Sequence, residues 1–260
     1  MERFTTLGRY FIGFAAFASG FQQLVTGSFV RLVPALPASI PWHTGWVYAT
    51  GWLLMFAGGA ILLGRAARPG AVILGAMLLV MFLVLCLPQA LANPFAGFMW
   101  TNPVKTLALL GGAILLAAGP EEDQAGAAFA FGRLLGRLRP LGWYLLGVFL
   151  LVAGVQHFVY ASFVDSLVPA WIPPGPRFWT CLTGVALIAA GVGLALPKTA
   201  RLAALLSAVM IFLWVLLLHI PRTVALKTLF ELDGVFEALA VCGVALLVAA
   251  ARRPARKGNQ

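Results

Sequence analysis

Among the ionisable residues inside apolar stretches, three stand out: His157, His219 and Glu237. Inserting such a group into hydrocarbon costs roughly 2.5–3.5 kcal/mol, so each is a functional hypothesis by default. Two imidazoles and a carboxylate from separate segments could do three things. They could form a proton relay or a quinol site, in which a neutral histidine accepts a hydroxyl proton and Glu237 carries it outward. They could ligate a metal as two histidines and one carboxylate, or hold haem between the two histidines. They could also be a hydrogen-bonded network that fixes helix register. Around a quinone, the nearest candidates for cofactor binding are Gln156, Arg222 and Trp171.

The elements that must position these groups follow from composition. Of 260 residues, 62% are hydrophobic and 10% charged, where soluble domains carry about a quarter charged residues. Apolar segments fall at 8–28, 45–64, 70–88, 103–119, 142–160, 178–196, 201–221 and 231–250. Each is near the ~20 residues that a helix needs to cross a bilayer. The expected fold is therefore all-α and integral to the membrane, with eight transmembrane helices. Thirteen Lys and Arg residues fall on the side of the termini and five (Arg31, Lys105, Arg177, Arg222 and Lys227) on the other. The positive-inside rule then puts both termini in the cytoplasm, in an inner or plasma membrane, with the three ionisable groups in the outer leaflet. The net charge of +10 lies in clusters between apolar segments, a topology signal and not a nucleic-acid surface.

The halves repeat. A shift of 134 aligns Gly8, Tyr10, Gly13, Gly20, Gln22 and Val25 with Gly142, Tyr144, Gly147, Gly154, Gln156 and Val159. A shift of 133 pairs Gly51, Gly58 and Pro88 with Gly184, Gly191 and Pro221, and 132 pairs Gly111 with Gly243. An even number of spans per half makes these parallel four-helix-bundle repeats. The expected organisation is a first repeat at 1–120, an amphipathic interfacial linker at 121–141, a second repeat at 142–251 and a basic tail at 252–260. In the first repeat Gln23, Cys86 and Lys105 occupy the places of His157, His219 and Glu237, so the second repeat is expected to carry the site.

Other polar groups have simpler readings. Lys105, near a helix start, is long enough to snorkel outward. Arg222 and Asp165 could pair at the outer mouth, and Glu231 and Asp233 read as helix caps. Cys86, Cys181 and Cys242 are isolated, without a CxxC pair, and read as small packing residues. The loops VPALPASIPWHTGW and VPAWIPPGPRFW are proline-rich connectors with interfacial aromatics.

Gly154-Val-Gln-His-Phe158, the LVPAWIPP loop, a Gly-rich second helix, Arg201-Leu-Ala-Ala, His219 and Glu237 together resemble the DoxX-like family of four-helix membrane proteins. The resemblance covers about 140–250, and more weakly 8–119. It implies a polar centre at His219 and Glu237 and an association with membrane redox systems, since the namesake belongs to a thiosulfate:quinone oxidoreductase. The chain departs from the family at Gly184-Val-Ala-Leu187, where members often carry a glutamate. The resulting expectation is a subunit for quinone-linked electron transfer, either a non-catalytic or a quinone-site subunit, needing protein partners from a redox complex. The alternatives are a binding or transport protein for a small apolar solute or lipid, and a structural anchor of a larger complex.

Overall fold

The computed structural model describes residues 2–119 and 130–252, and no strand occurs among them. In the first half, α1 (Glu2–Thr26), α2 (His43–Leu63) and α3 (Ala67–Met81) are followed by a π-helical turn, Phe82–Cys86, that leads into α4 (Leu87–Ala92). A 3₁₀ turn then opens α5 (Thr101–Ala118). In the second half, α6 (Ala130–Val159) is followed by the short α7 (Ala161–Leu167), then α8 (Pro176–Ala195) and α9 (Ala200–Trp214). A second π turn, Val215–His219, joins α9 to α10 (Ile220–Leu226), and α11 (Leu229–Ala251) ends the bundle.

The π turns have a local cause. Pro88 and Pro221 follow them closely and have no N–H for the preceding turn. A wider turn takes up the mismatch: the Leu87 N–H reaches the Phe82 carbonyl and the Ile220 N–H reaches the Val215 carbonyl. Each π turn ends on a residue of interest, Cys86 in one half and His219 in the other.

Seven helical stretches are long and apolar enough to cross a membrane: 43–63, 67–92, 97–118, 136–159, 176–195, 200–226 and 229–251. Eight were expected. The difference is α1, which has the length but carries Arg9, Gln22 and Gln23. The expected linker at 121–141 also differs from what forms. From Ala130 onward the chain is one helix with Pro140 inside it, running without a break to Val159, so no separate interfacial helix covers 130–141. The rest of that linker, and the tail beyond Arg252, lie outside the described residues.

Four helices carry the packing between the halves: α1, α5, α6 and α11. α1 lies against α2 and α11, and α6 against α8 and α5. The helices α5 and α11 form the centre, with 78% and 72% of their membrane-length windows buried against 28–39% elsewhere. Close approach is set by glycine. A Cβ on Gly243 would lie 2.8 Å from the Gly8 carbonyl oxygen, and one on Gly111 2.9 Å from that of Gly142. Such close backbone approach gives the helices extensive van der Waals contact.

Gly243→Val therefore forces α1 off α11. We expect a loss of about 1–3 kcal/mol, read as a lowered melting temperature in detergent. Gly175→Val, with nothing within 4 Å of its Cβ position but a φ of 139°, separates steric crowding from backbone strain.

Candidate functional site

The site forms where the central helices meet the ends of α6 and α9. α5 presents Lys105 and α11 presents Glu237, and the ammonium Nζ donates to Glu237 Oε1 at 2.6 Å. The same Nζ donates to the Arg31 carbonyl at 2.8 Å. The Arg31 guanidinium stands 3.5 Å from Glu237 Oε2 and lies over the Phe230 ring at 4.1 Å. Lys105 does not snorkel outward: it is 7% exposed, because a carboxylate and a carbonyl within reach give it better partners than a path to water.

The acidic residues at the start of α11 are also more than caps. Thr228 is the cap, its hydroxyl accepting the Glu231 N–H at 3.3 Å. Asp233 is buried and accepts from Gln22 Nε2 at 2.7 Å and from the Arg31 N–H at 3.1 Å. Glu231 receives two bonds from Arg222, at 3.0 and 2.7 Å. Asp165, the expected partner of Arg222, pairs instead with Arg177 at 2.8 Å.

Both histidines line a large cavity bounded by α6, α8, α9 and the central helices. Its volume is about 1480 Å³. His157, His219, Glu237, Gln156, Lys105 and Arg31 line one end beside Thr101 and Asn102, and the remaining wall is apolar apart from Tyr160, Thr183, Thr199 and Ser207. His157 Nδ1 lies 2.7 Å from the Ala153 carbonyl. That oxygen can only accept, so Nδ1 carries the proton and Nε2 is left as an acceptor for a ligand. Its ring stacks on Trp214 at 6.0 Å. The cavity follows α8 from Trp179 to Leu196, about 25 Å at 1.5 Å per residue.

Of the six residues singled out from sequence, His157, His219, Glu237 and Gln156 thus line one cavity. Arg222 is committed to Glu231 and the Ser166 carbonyl, and Trp171 is 65% exposed; neither is among the lining residues. Among the described residues no group of three or more His, Cys, Asp or Glu side chains is placed to hold a metal ion. Sequence reasoning missed Lys105, Arg31 and Asp233 as members of the polar end. A signal did exist: Lys105 and Glu237 are one position under the shift of 132, with opposite charges.

The matching place in the first half is filled. Val30, Leu32 and Val33, in the loop after α1, are 2–4% exposed and leave a void of only about 10 Å³ beside Leu74 and Leu78. Three groups hold that loop in: Gln23 Oε1 accepts the Val30 N–H at 3.3 Å, Asp233 accepts that of Arg31, and Lys105 donates to the Arg31 carbonyl.

A family profile described as a domain of unknown function (DUF8561) matches residues 146–228. This stretch, under a third of the chain, runs from α6 to the loop before α11 and contains both histidines. No DoxX profile matches, so the resemblance to the DoxX-like family is overturned, and the redox association inferred from it loses its footing. The residues that suggested it answer general demands: glycines for close helix contact, prolines for loops, and a basic residue at a helix start. No curated protein and no solved structure matches the chain.

Removing one partner of a buried pair strands the other. Glu237→Gln should cost about 3–5 kcal/mol, whereas Lys105→Met with Glu237→Met should recover most of it. Thermal unfolding of both variants checks this. A double variant no better than the single one would mean the pair is not the buried contact described.

Proposed function

We propose that this is a multi-pass protein of the inner or plasma membrane that binds a membrane-resident amphiphile in the cavity of its second half, with a long apolar tail along α8 and α9 and a compact polar head at the Lys105–Glu237 end. The observation that carries this reading is the cavity's shape and division of character. Pockets for drug-sized ligands run to about 300–1,000 Å³; this one is larger, at about 1480 Å³, elongated, and charged only at one end, while the hydroxyls of Thr183, Thr199 and Ser207 along its wall are bonded to backbone carbonyls. Eight spans in two parallel four-helix repeats, with α1 as the eighth, fit the matched positions of the π turns at 82–86 and 215–219. The excess of Lys and Arg at the opposite ends supports cytoplasmic termini.

The chemistry of the polar end narrows the head. His157 Nε2 offers an acceptor, while Arg31 and Lys105 offer charged donors beside a single lining carboxylate. A head with both a hydroxyl and an acceptor oxygen satisfies these groups. A quinol is one such head and an acyl lipid bearing a free hydroxyl is another. The choice between them separates a quinone-linked role from lipid binding or transport.

Organic extraction and mass spectrometry of gently purified protein tests the reading. Wild type should retain a stoichiometric amount of one amphiphile. Ser207→Leu, which installs the residue the first half has at this place (Leu74), combined with Ala190→Trp in the cavity wall, should retain several-fold less at unchanged melting temperature. Equal retention by both proteins would identify the lipid as annular and reject the site. Empty preparations of both would favour an anchoring subunit.

A further inference from the structure

The plugged half shows what the open half can do. The chain reads FVRLVPA at 29–35 and FVDSLVPA at 163–170, the same segment with Asp165 in place of Arg31 and Ser166 inserted. In the first half this segment is the plug. In the second, its counterpart forms α7 and the turn after it, with no residue of α7 buried. Leu167, Val168 and Pro169 face the cavity without filling it, and Phe163 is 62% exposed.

The difference has a chemical cause at one of the three places that hold the plug. Gln23 corresponds to His157, Asp233 to Thr101 and Lys105 to Glu237. The carboxylate of Glu237 cannot donate to a backbone carbonyl as Lys105 does. Thr101 donates its hydroxyl to Gln156 Oε1 at 3.1 Å and His157 Nδ1 donates to Ala153, so at these two places the Thr101 oxygen and His157 Nε2 remain as acceptors for backbone N–H groups. Other contacts hold the segment outside instead: Arg222 donates to the Ser166 carbonyl at 3.1 Å, and Arg177 pairs with Asp165 with its side chain 63% exposed. With Asp165 21% exposed and its partner mostly in solvent, this pair is worth only about 0–1 kcal/mol and adds little to the hold on the outer position.

We propose that residues 161–170 are a lid that folds into the second cavity when it is empty, as residues 28–35 fold into the first. The inference rests on the reading of this cavity as an exchangeable amphiphile site. In the closed state Leu167 takes the place of Leu32, against Ser207 and Ile211, which correspond to Leu74 and Leu78. The occupant and the lid then compete for one volume. The lid keeps the apolar wall and the polar end from water between ligands.

Disulfide trapping tests this with the full chain. Leu167→Cys/Ser207→Cys is oxidised in delipidated protein beside Leu32→Cys/Leu74→Cys as the positive control, with crosslinked peptides assigned by mass spectrometry so that the native cysteines stay. The proposal predicts crosslinking of both pairs, and several-fold faster crosslinking of the second-half pair when Arg177→Gln frees Asp165. A control that crosslinks while the second-half pair does not, with or without Arg177→Gln, overturns the lid and leaves the cavity reading standing. Adding oleoyl lysophosphatidylcholine should slow the second-half pair alone. If crosslinking proceeds but this probe has no effect, the lid stands and the amphiphile reading fails.

Discussion

The arrangement depends on one buried ion pair. Lys105 and Glu237 sit on the two central helices at corresponding positions, and their 2.6 Å contact joins the halves. Neither charge is tolerated alone in an apolar interior, so α5 and α11 must stay in register for both to be satisfied. Gly112 lets α5 approach α11 closely beside Val244, which brings the two charges within reach. Because the partners are opposite in sign, the pair also breaks the equivalence of the halves. The side with the ammonium can hold a backbone carbonyl. The side with the carboxylate cannot.

The asymmetry of the core follows from this. Lys105 fixes the Arg31 carbonyl, Asp233 fixes the N–H of the same residue, and the loop carrying Val30, Leu32 and Val33 is drawn into the first half. The second half has no equivalent set of bonds, so its loop lies outside, tied to Arg222 and Arg177. A packed half and a hollow half thus come from two segments that are nearly identical in sequence. The packed half contributes stability and the ends of two polar side chains, Lys105 and Arg31, to the hollow one.

Much of this was legible in the sequence. Long uncharged runs announce helices, and the fixed offsets between Gly8 and Gly142 or Pro88 and Pro221 announce matched halves. His157, His219 and Glu237 stood out because ionisable groups are costly where they lie. What stayed hidden depends on partners distant in the chain. Lys105 near a helix start reads as a snorkelling residue until the carboxylate 132 positions away is known to face it. Arg31 reads as a topology charge, although its backbone is the point where the plug is fastened. Arg222 lies three residues after His219, yet α10 directs it to Glu231, and Trp171 in the proline-rich loop points outward. The family resemblance misled because glycine and proline spacing records helix packing, a constraint that unrelated bundles share.

The central claim is that one half is filled by its own chain and the other by a ligand. A high-resolution map of the protein in lipid nanodiscs tests it most directly. Continuous tubular density is expected between α8 and α9, ending near Lys105 Nζ, and none at the corresponding place beside Leu74, where Leu32 and Val33 occupy the space. Equivalent, fully packed cores in both halves of protein taken straight from the membrane, with residues 163–168 tucked in as residues 29–33 are, would contradict it.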